Sequence, residues 1–415
     1  MNRAKFTKNQ NRIFWGLFIS YGIAYVGRLN LSAALNNLIT DMSLTKAQGG
    51  MFQTLFAIVY AAGQLINGVI VDKVSARRYI FAGLLLSGLA NLLLGISKAY
   101  PLMLAAWLIN GAVQSMLWTP VVKIMATWFK GDRREKASFG LSITLVCGNI
   151  AAWAISGFMA ARFSWRYSFI IPGIIVGSCA FLAWFILRDK PEEGEDIGED
   201  EVQKKGTTAL RQMSVREMIA LTGLPLVLVC CVCNGAVRDG IITWGPTILA
   251  QVAGGQALNS TLTSLIIPCF NLIGIVMARK CYNFFGNNAR RCCGCLMLLS
   301  TVLCALIRPS YVSMVTCAIT LGLACACTYG INPMLTTLIP MEFEVGGRVG
   351  LVAGISDCFI YLGSALAGVV TGAISDAAGW TMVFMLWVGI AAVGAVFAFL
   401  SLNGRKKLLS WGDGK

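Results

Sequence analysis

The chain of 415 residues is far more apolar and far less charged than a soluble protein of its length. Hydrophobic residues make up 57% and charged residues 13% of the sequence, against about 45–50% and about 25% in an average soluble chain. A soluble fold would not cover its surface with so little charge, whereas lipid solvates apolar helices. The composition excludes intrinsic disorder and a short disulfide scaffold. The complete lack of histidine excludes imidazole catalysis.

Twelve apolar stretches, each near the roughly 20 residues that cross a bilayer, follow one another along the chain. They cover residues 13–38, 48–71, 79–97, 101–128, 137–161, 167–187, 225–251, 260–280, 290–307, 312–340, 349–375 and 380–402. The polar segment 188–224, with its run of acids and glycines, predicts a solvated linker. We therefore predict an all-α polytopic membrane protein with twelve transmembrane helices, six in residues 1–187 and six in residues 225–415.

The net charge of +15 is explained by where the basic residues lie. With a cytoplasmic N-terminus, 26 of the 34 Lys and Arg residues fall in cytoplasmic segments, 5 fall in outside loops and the others lie within spans. This positive-inside bias predicts cytoplasmic termini and a lipid partner rather than a nucleic acid. The short tails suggest a bacterial inner membrane, and we expect a monomer.

Each predicted half carries one arginine deep in its first span, Arg28 and Arg238, which are 210 positions apart. A mid-membrane arginine costs at least about 2.5–3.5 kcal/mol on insertion scales, so it needs a partner or a wet cavity. Its rigid fork of donors matches a phosphate or a carboxylate. We therefore predict that the two arginines bind a small anion near the midplane. The alternative is that each one pairs with an acid and merely joins helices.

Tyrosines accompany these arginines. Tyr21 and Tyr25 precede Arg28 by seven and three residues and share its helix face, and a phenol hydroxyl can donate to a phosphate oxygen. Other deep tyrosines with the same predicted role are Tyr60, Tyr329 and Tyr361. Ordinary packing is the alternative for each of them.

Three further charged residues lie well inside the predicted spans, away from their ends. Lys123 is either a third cation of the pathway or a side chain that extends to the headgroups. Asp357 and Asp239 are candidate pathway or coupling acids, and Asp239 is also a candidate partner of Arg238.

The loop after the second span reads Gly68-Val-Ile-Val-Asp72-Lys73-Val-Ser-Ala-Arg77-Arg78. Glycine permits close helix approach, and Asp72 can pair with a basic residue or cap a helix, which predicts a breakable cytoplasmic gate. A plain positive-inside loop is the alternative.

Cysteine pairs such as Cys292 and Cys295 have C-x-x-C spacing but lie within spans, without any histidine. We interpret them as small apolar residues and predict neither a metal site nor a cofactor. We find no catalytic motif in a suitable context and therefore predict that the chain is not an enzyme.

The twelve spans, the six-plus-six division and the loop from Gly68 to Arg78 resemble the major facilitator superfamily. Residues 238–249, Arg-Asp-Gly-Ile-Ile-Thr-Trp-Gly-Pro-Thr-Ile-Leu, resemble its organophosphate:phosphate antiporters, which include glycerol-3-phosphate and hexose-phosphate carriers. The resemblance implies that Arg28 and Arg238 grip a phosphate and that the matching tyrosines line the cavity. It also places Lys123 where a basic residue is expected.

The sequence departs from the glycerol-3-phosphate carriers where Gln64 replaces a lysine, Gly235 replaces a tyrosine and Asn149 lies in a stretch where they have a histidine. Asp357 resembles an acid of the hexose-phosphate carriers, but Ile360 replaces the lysine that follows one turn later. The resemblance thus implies that the phosphate-binding arginines are retained and that the pocket for the organic group is altered.

The predicted function is secondary active transport of a small organic anion, an organophosphate exchanged for inorganic phosphate by alternating access. A proton- or cation-coupled carboxylate symporter of the same fold is one alternative. A metabolite-sensing membrane receptor is the other.

Overall fold

The computed structural model describes residues 3–71, 73–129, 131–191, 222–254, 263–311, 313–343 and 349–412. Helices account for almost all of this part of the chain, and no β-strand occurs in it. This result agrees with the long apolar runs, because a backbone surrounded by lipid must satisfy its hydrogen bonds within its own segment.

In the part of the chain that the structure describes, seven helices precede the linker and seven follow it. The first seven are α1 (Arg3–Asp41), α2 (Lys46–Ile70), α3 (Ala76–Ile96), α4 (Tyr100–Gln114), α5 (Trp118–Trp128), α6 (Gly131–Arg162) and α7 (Tyr167–Ile186). The others are α8 (Leu224–Val252), α9 (Ile266–Phe284), α10 (Ala289–Ser310), α11 (Met314–Pro333), α12 (Ile339–Met341), α13 (Val349–Leu400) and α14 (Leu402–Gly412). A π-helical turn, Met334–Leu338, joins α11 to α12.

Eight helical segments of the described chain are long and apolar enough to cross a membrane. The last of them, Leu351–Arg405, has 55 residues and is broken within, so it is long enough to cross twice. Helices α1, α2 and α9, with 39, 25 and 19 residues, are also long enough to cross. Together these segments account for the twelve predicted spans, and the prediction of an all-α polytopic membrane protein is confirmed.

The fourth predicted span, 101–128, is not one continuous helix. Helix α4 ends at Gln114, and α5 begins at Trp118. Pro120 explains the interruption, because a proline ring clashes with the carbonyl four residues earlier and removes one helical hydrogen bond. Ser115, which lies in the break, donates to the Ala112 carbonyl and accepts from the Asn67 amide at 2.6 and 2.8 Å.

Gly379 divides α13 into two helices, at the place where the sequence predicts one span to end and the next to begin. Its backbone has φ 75° and ψ 175°, a region that is open essentially to glycine alone. The chain therefore turns here without a loop.

Packing divides the described chain into two compact units, one from residues 1–37 and 59–206 and the other from residues 38–58 and 207–415. The predicted linker lies outside the described residues over 192–221, so the predicted boundaries of the two halves stay predictions.

Residues 38–58 join the second unit through hydrogen bonds between the first half of α2 and α13. Thr54 Oγ1 donates to the Ala365 carbonyl at 2.6 Å and accepts from the Val369 amide at 3.0 Å. Asp376 accepts from the Ala47 amide at 2.9 Å, and a carboxylate at a helix N-terminus is favourable.

We expect Gly379→Ala to destabilise the protein by about 1–3 kcal/mol, because alanine is strained at this backbone conformation. The measurement is thermal unfolding of the purified protein in detergent. Gly389→Ala is the matched control, since Gly389 lies within α13 with no atom within 4 Å of an added Cβ. Helix propensity predicts a neutral or slightly stabilising effect for the control. Equal melting temperatures for the two variants would contradict the assigned break.

Candidate functional site

Arg28 lies in α1 against the faces of two tyrosines. Its guanidinium carbon is 4.5 Å from the centre of the Tyr60 ring and 5.6 Å from that of Tyr25. Such contacts stabilise a cation by about 0.5–2 kcal/mol, with the larger values in desolvated surroundings. The structure thus places Arg28 with two of the tyrosines that the sequence singles out.

The tyrosines around Arg28 are themselves held in place. The buried Tyr21 ring packs edge-on against Tyr25 at 5.4 Å and lies 5.0 Å from the ring of Trp118. Gln64 donates from its amide nitrogen to the Tyr60 hydroxyl at 3.0 Å. Gln64, one helical turn after Tyr60, is therefore part of the surroundings of Arg28.

A buried network of polar side chains supports α1 beside Arg28. Asn110 donates to the Gly27 carbonyl and Gln114 donates to the Ala24 carbonyl, both at 2.9 Å. Hydrogen bonds between spans act as polar contacts in an otherwise apolar interface. The other members of this network are Asn30, Ser87 and Asn91. The network ties α1 to α3 and α4 at the turn that carries Arg28.

Arg238 lies in α8, and its guanidinium is held by two side chains. Nε donates to Asp239 Oδ1 at 2.8 Å, and Nη2 donates to Asp239 Oδ2 at 3.0 Å. Nη1 donates to Asn332 Oδ1, and the Tyr329 ring centre lies 6.0 Å from the guanidinium carbon. Neighbouring residues of a helix do not normally face each other, so the long arginine side chain must fold back to reach Asp239.

Asn332 is a partner of Arg238 that the sequence analysis missed. It lies three residues after Tyr329, so both share one face of α11, and Pro333 and the π-helical turn Met334–Leu338 follow directly. The sequence feature that could have identified Asn332 is an amide side chain next to a proline within an apolar span. Single π-helical turns occur often at functional sites.

Tyr361 and Asp357 lie one turn apart on α13, and both are partly buried. Tyr361 lies near Arg238. The structure thus associates Tyr329 and Tyr361 with Arg238, as it associates Tyr25 and Tyr60 with Arg28.

Lys123 lies in α5 and bonds to the end of α2. Its ammonium group donates to the carbonyls of Val71 and Val74, the latter at 3.2 Å. A cation that donates to the last carbonyls of a helix stabilises that helix end. Val71 directly follows α2, whereas Val74 lies just before α3, so two of the three ammonium protons are engaged between these helices.

The predicted gate is only partly described, because Asp72 lies outside the described residues. Lys73 is exposed, and the Arg77 guanidinium carbon lies 4.2 Å from the centre of the Trp184 ring. Asp189 Oδ1 accepts from the Arg77 amide at 2.7 Å, and Ser75 Oγ accepts from the Arg78 amide at 3.3 Å. The N-terminus of α3 is therefore capped by Ser75 and by an acid after α7 that the sequence analysis did not single out. The remaining predicted gate residue, Gly68, lies in α2.

The cysteines are thiols without disulfide bonds. All fifteen thiols are free, and within the described ranges no group of three or more His, Cys, Asp or Glu residues is placed to hold a metal ion. Most of these thiols are buried among apolar residues, as in the second unit's core.

Comparison with known proteins places the chain in a family. The family model of the Major Facilitator Superfamily matches residues 17–343. The chain is 24% identical over 425 residues to a glycerol-3-phosphate transporter of Bacillus subtilis, covering 97% of this chain and 95% of the relative. It is 22% identical over 421 residues to a probable hexose phosphate transport protein of Chlamydia muridarum, covering 96% and 92%. It is 25% identical over 427 residues to the membrane sensor protein UhpC of Escherichia coli, covering 97% and 94%.

We expect Lys123→Met to destabilise the protein by about 1 kcal/mol, because the Val71 and Val74 carbonyls, between α2 and α3, lose a cationic donor. We also expect the KM of any anion transport by this variant to stay within about twofold of the wild-type value. Thermal unfolding and transport assays measure the two effects, and Lys98→Met, at an exposed lysine, is the control. A large loss of transport with unchanged thermal stability would instead make Lys123 part of the pathway.

Proposed function

Because the chain belongs to the Major Facilitator Superfamily, we propose that it exchanges a small organophosphate for inorganic phosphate by alternating access. Arg28 and Arg238 bind the phosphate group. The tyrosines beside each arginine complete the binding surface, and the two six-helix halves move about the bound anion.

One observation carries this proposal. Each of the two deep arginines has a guanidinium fixed by specific neighbours, the rings of Tyr25 and Tyr60 for Arg28, and Asp239 and Asn332 for Arg238. A fixed planar fork binds phosphate with defined geometry, whereas a mobile lysine acts as a point charge. Cations that only joined helices would not need to recur 210 positions apart in the sequence.

The relatives support the choice of anion. Two of them are named as transporters of glycerol-3-phosphate or hexose phosphate, and each aligns over nearly its whole length. Gln64 and Gly235 differ from what the resemblance predicts around the organic group, so the phosphate is the part of the substrate that we assign. We further propose a monomer in a bacterial inner membrane with both termini in the cytoplasm.

The membrane sensor among the relatives supports a second candidate, a receptor that binds the metabolite without transporting it. The carboxylate symporter remains the other candidate, with Asp357 or Asp239 as the coupling acid. Both are outcomes of the experiment below.

The test is entry of labelled phosphate into vesicles that contain the purified protein and are loaded with phosphate. We expect rapid exchange by the wild type and at least a roughly tenfold loss in Arg28→Lys and Arg238→Lys, because lysine lacks the bidentate fork. Arg162→Lys, at an exposed arginine, is the matched control and should exchange like the wild type.

Phosphate binding without exchange would favour the receptor. Neither binding nor exchange by folded protein would overturn the phosphate assignment. Uphill carboxylate uptake driven by a proton gradient, lost in Asp357→Asn, would then establish the symporter.

A further inference from the structure

Helices α9 and α10 form a hairpin with a short turn. Helix α9 ends at Phe284, and α10 begins at Ala289. Within the turn, Gly286 and Asn287 have φ angles of 63° and 58°, a region that favours glycine and asparagine. The end of α9 and the beginning of α10 therefore lie on the same side of the membrane.

The two helices of this hairpin pack against different neighbours. Helix α9 lies against α11, where a Cβ added at Gly274 would overlap the Ala326 carbonyl. Helix α10 lies against the second half of α13, where a Cβ added at Gly294 would meet the Phe399 ring. Each helix therefore buries one face within the second unit and turns another face outward.

The outward face of α10 begins with a cation and continues with apolar residues. Arg291, Cys295, Leu298 and Val302 follow one another at intervals of four, three and four residues, which places them on one helix face. Cys295 is partly exposed and the other three are exposed. The preceding residue, Arg290, is buried and forms an ion pair within the protein. Arg291 instead presents its charge at the level where the span begins.

The outward face of α9 has the same order of residues, read from the turn into the span. Phe284 and Lys280 lie one helical turn apart and are exposed, and the exposed apolar residues Val276 and Ile273 follow. The Phe284 ring is 83% exposed and packs edge-on against Phe285 at 5.1 Å. Such a ring at the end of a span is favourable between the headgroups and the acyl chains of a bilayer.

The two outward faces adjoin near the turn. Cys281 of α9 and Cys295 of α10 are both partly exposed and lie near each other, and Arg291 lies near Cys295. The exposed residues of the two faces thus form one surface, called the hairpin surface below. It has the cations Lys280 and Arg291 and the Phe284 ring at one end, followed by apolar side chains.

We propose that the hairpin surface binds an anionic phospholipid of the cytoplasmic leaflet. The headgroup phosphate accepts hydrogen bonds from Lys280 and Arg291, Phe284 lies beside the glycerol region, and an acyl chain follows the apolar side chains. Cations at the membrane surface attract anionic lipids in preference to zwitterionic ones. The apolar residues that continue from the cations match a lipid, since a free phosphate ion would gain nothing from them. The orientation proposed above places this end of the hairpin in the cytoplasm.

The experiment measures lipid binding to the purified protein by native mass spectrometry, with phosphatidylglycerol and phosphatidylcholine offered in equal amounts. We expect the wild type to bind its first phosphatidylglycerol in preference to phosphatidylcholine. In the double variant Lys280→Gln/Arg291→Gln, this preference should fall at least about tenfold, because both cations at the headgroup are lost.

Two matched double variants show whether the charge acts at this place. Lys98→Gln/Arg162→Gln removes an exposed lysine and an exposed arginine elsewhere and should keep the wild-type preference. Lys280→Arg/Arg291→Lys keeps both charges and should keep it too. The single variants Lys280→Gln and Arg291→Gln give the same comparison if the double variant does not fold.

The role of the aromatic ring is tested separately. Phe284→Ala should weaken the binding of both lipids at least about threefold, because an apolar contact is lost. Phe284→Trp keeps an aromatic ring at this position and should bind like the wild type. Phe163→Ala, at another phenylalanine that is 67% exposed, is the control and should leave the first binding constant unchanged.

Three results would overturn the proposal. The first is an unchanged preference for phosphatidylglycerol in Lys280→Gln/Arg291→Gln. The second is displacement of the first phosphatidylglycerol by an equal concentration of inorganic phosphate, which would assign the cations to a free anion. The third is a dimer that Phe284→Ala dissociates, which would assign the surface to a second copy of the chain. Since no transport is measured, each of these results leaves the proposed phosphate exchange intact.

Discussion

An ionised guanidinium inside a membrane-spanning helix must be compensated, and the described structure is organised around two of them. Arg28 lies against aromatic faces, whose negative electrostatic potential stabilises a cation without neutralising it. Arg238 is held by a carboxylate and an amide, which fix its orientation and offset its charge. Both deep arginines are therefore held by specific neighbouring side chains.

The support extends into the helix packing behind each arginine. In the first unit, amide side chains of α4 bond to α1 carbonyls next to Arg28. Polar groups buried in this way are costly unless they are satisfied, and once satisfied they favour one arrangement of the helices over others. Elsewhere, glycine allows two helices to pack closely. At Gly235, for example, an added Cβ would meet the backbone of Ile360.

The sequence could predict the fold because twelve apolar runs leave few alternatives in a bilayer. It could also identify Arg28 and Arg238, since charge is rare in spans and the two positions recur. It could not identify Asn332 or Gln64, because a polar side chain in a span does not reveal its partner before the helices are packed. The same limit applies to Lys123, because its position within a predicted span does not indicate that its ammonium group donates to the carbonyls of Val71 and Val74.

The interruption of span 4 was within reach of sequence reasoning and was missed. Pro120 stands inside a run whose apolar character is continuous, and hydropathy alone predicts one uninterrupted helix. Backbone chemistry, not hydropathy, decides such breaks. Gly379, by contrast, lies between two predicted spans, so its role as the dividing point is consistent with the pattern.

The π-helical turn after Asn332 changes the angular phase of its helix. One additional residue in a turn rotates everything that follows by about 100° relative to a regular α-helix. Tyr329 and Asn332 before the turn can therefore point to Arg238, while Leu335 and Ile339 join the buried core of the second unit. The helical segment thus holds Arg238 over one stretch and packs into the core of the second unit over the next.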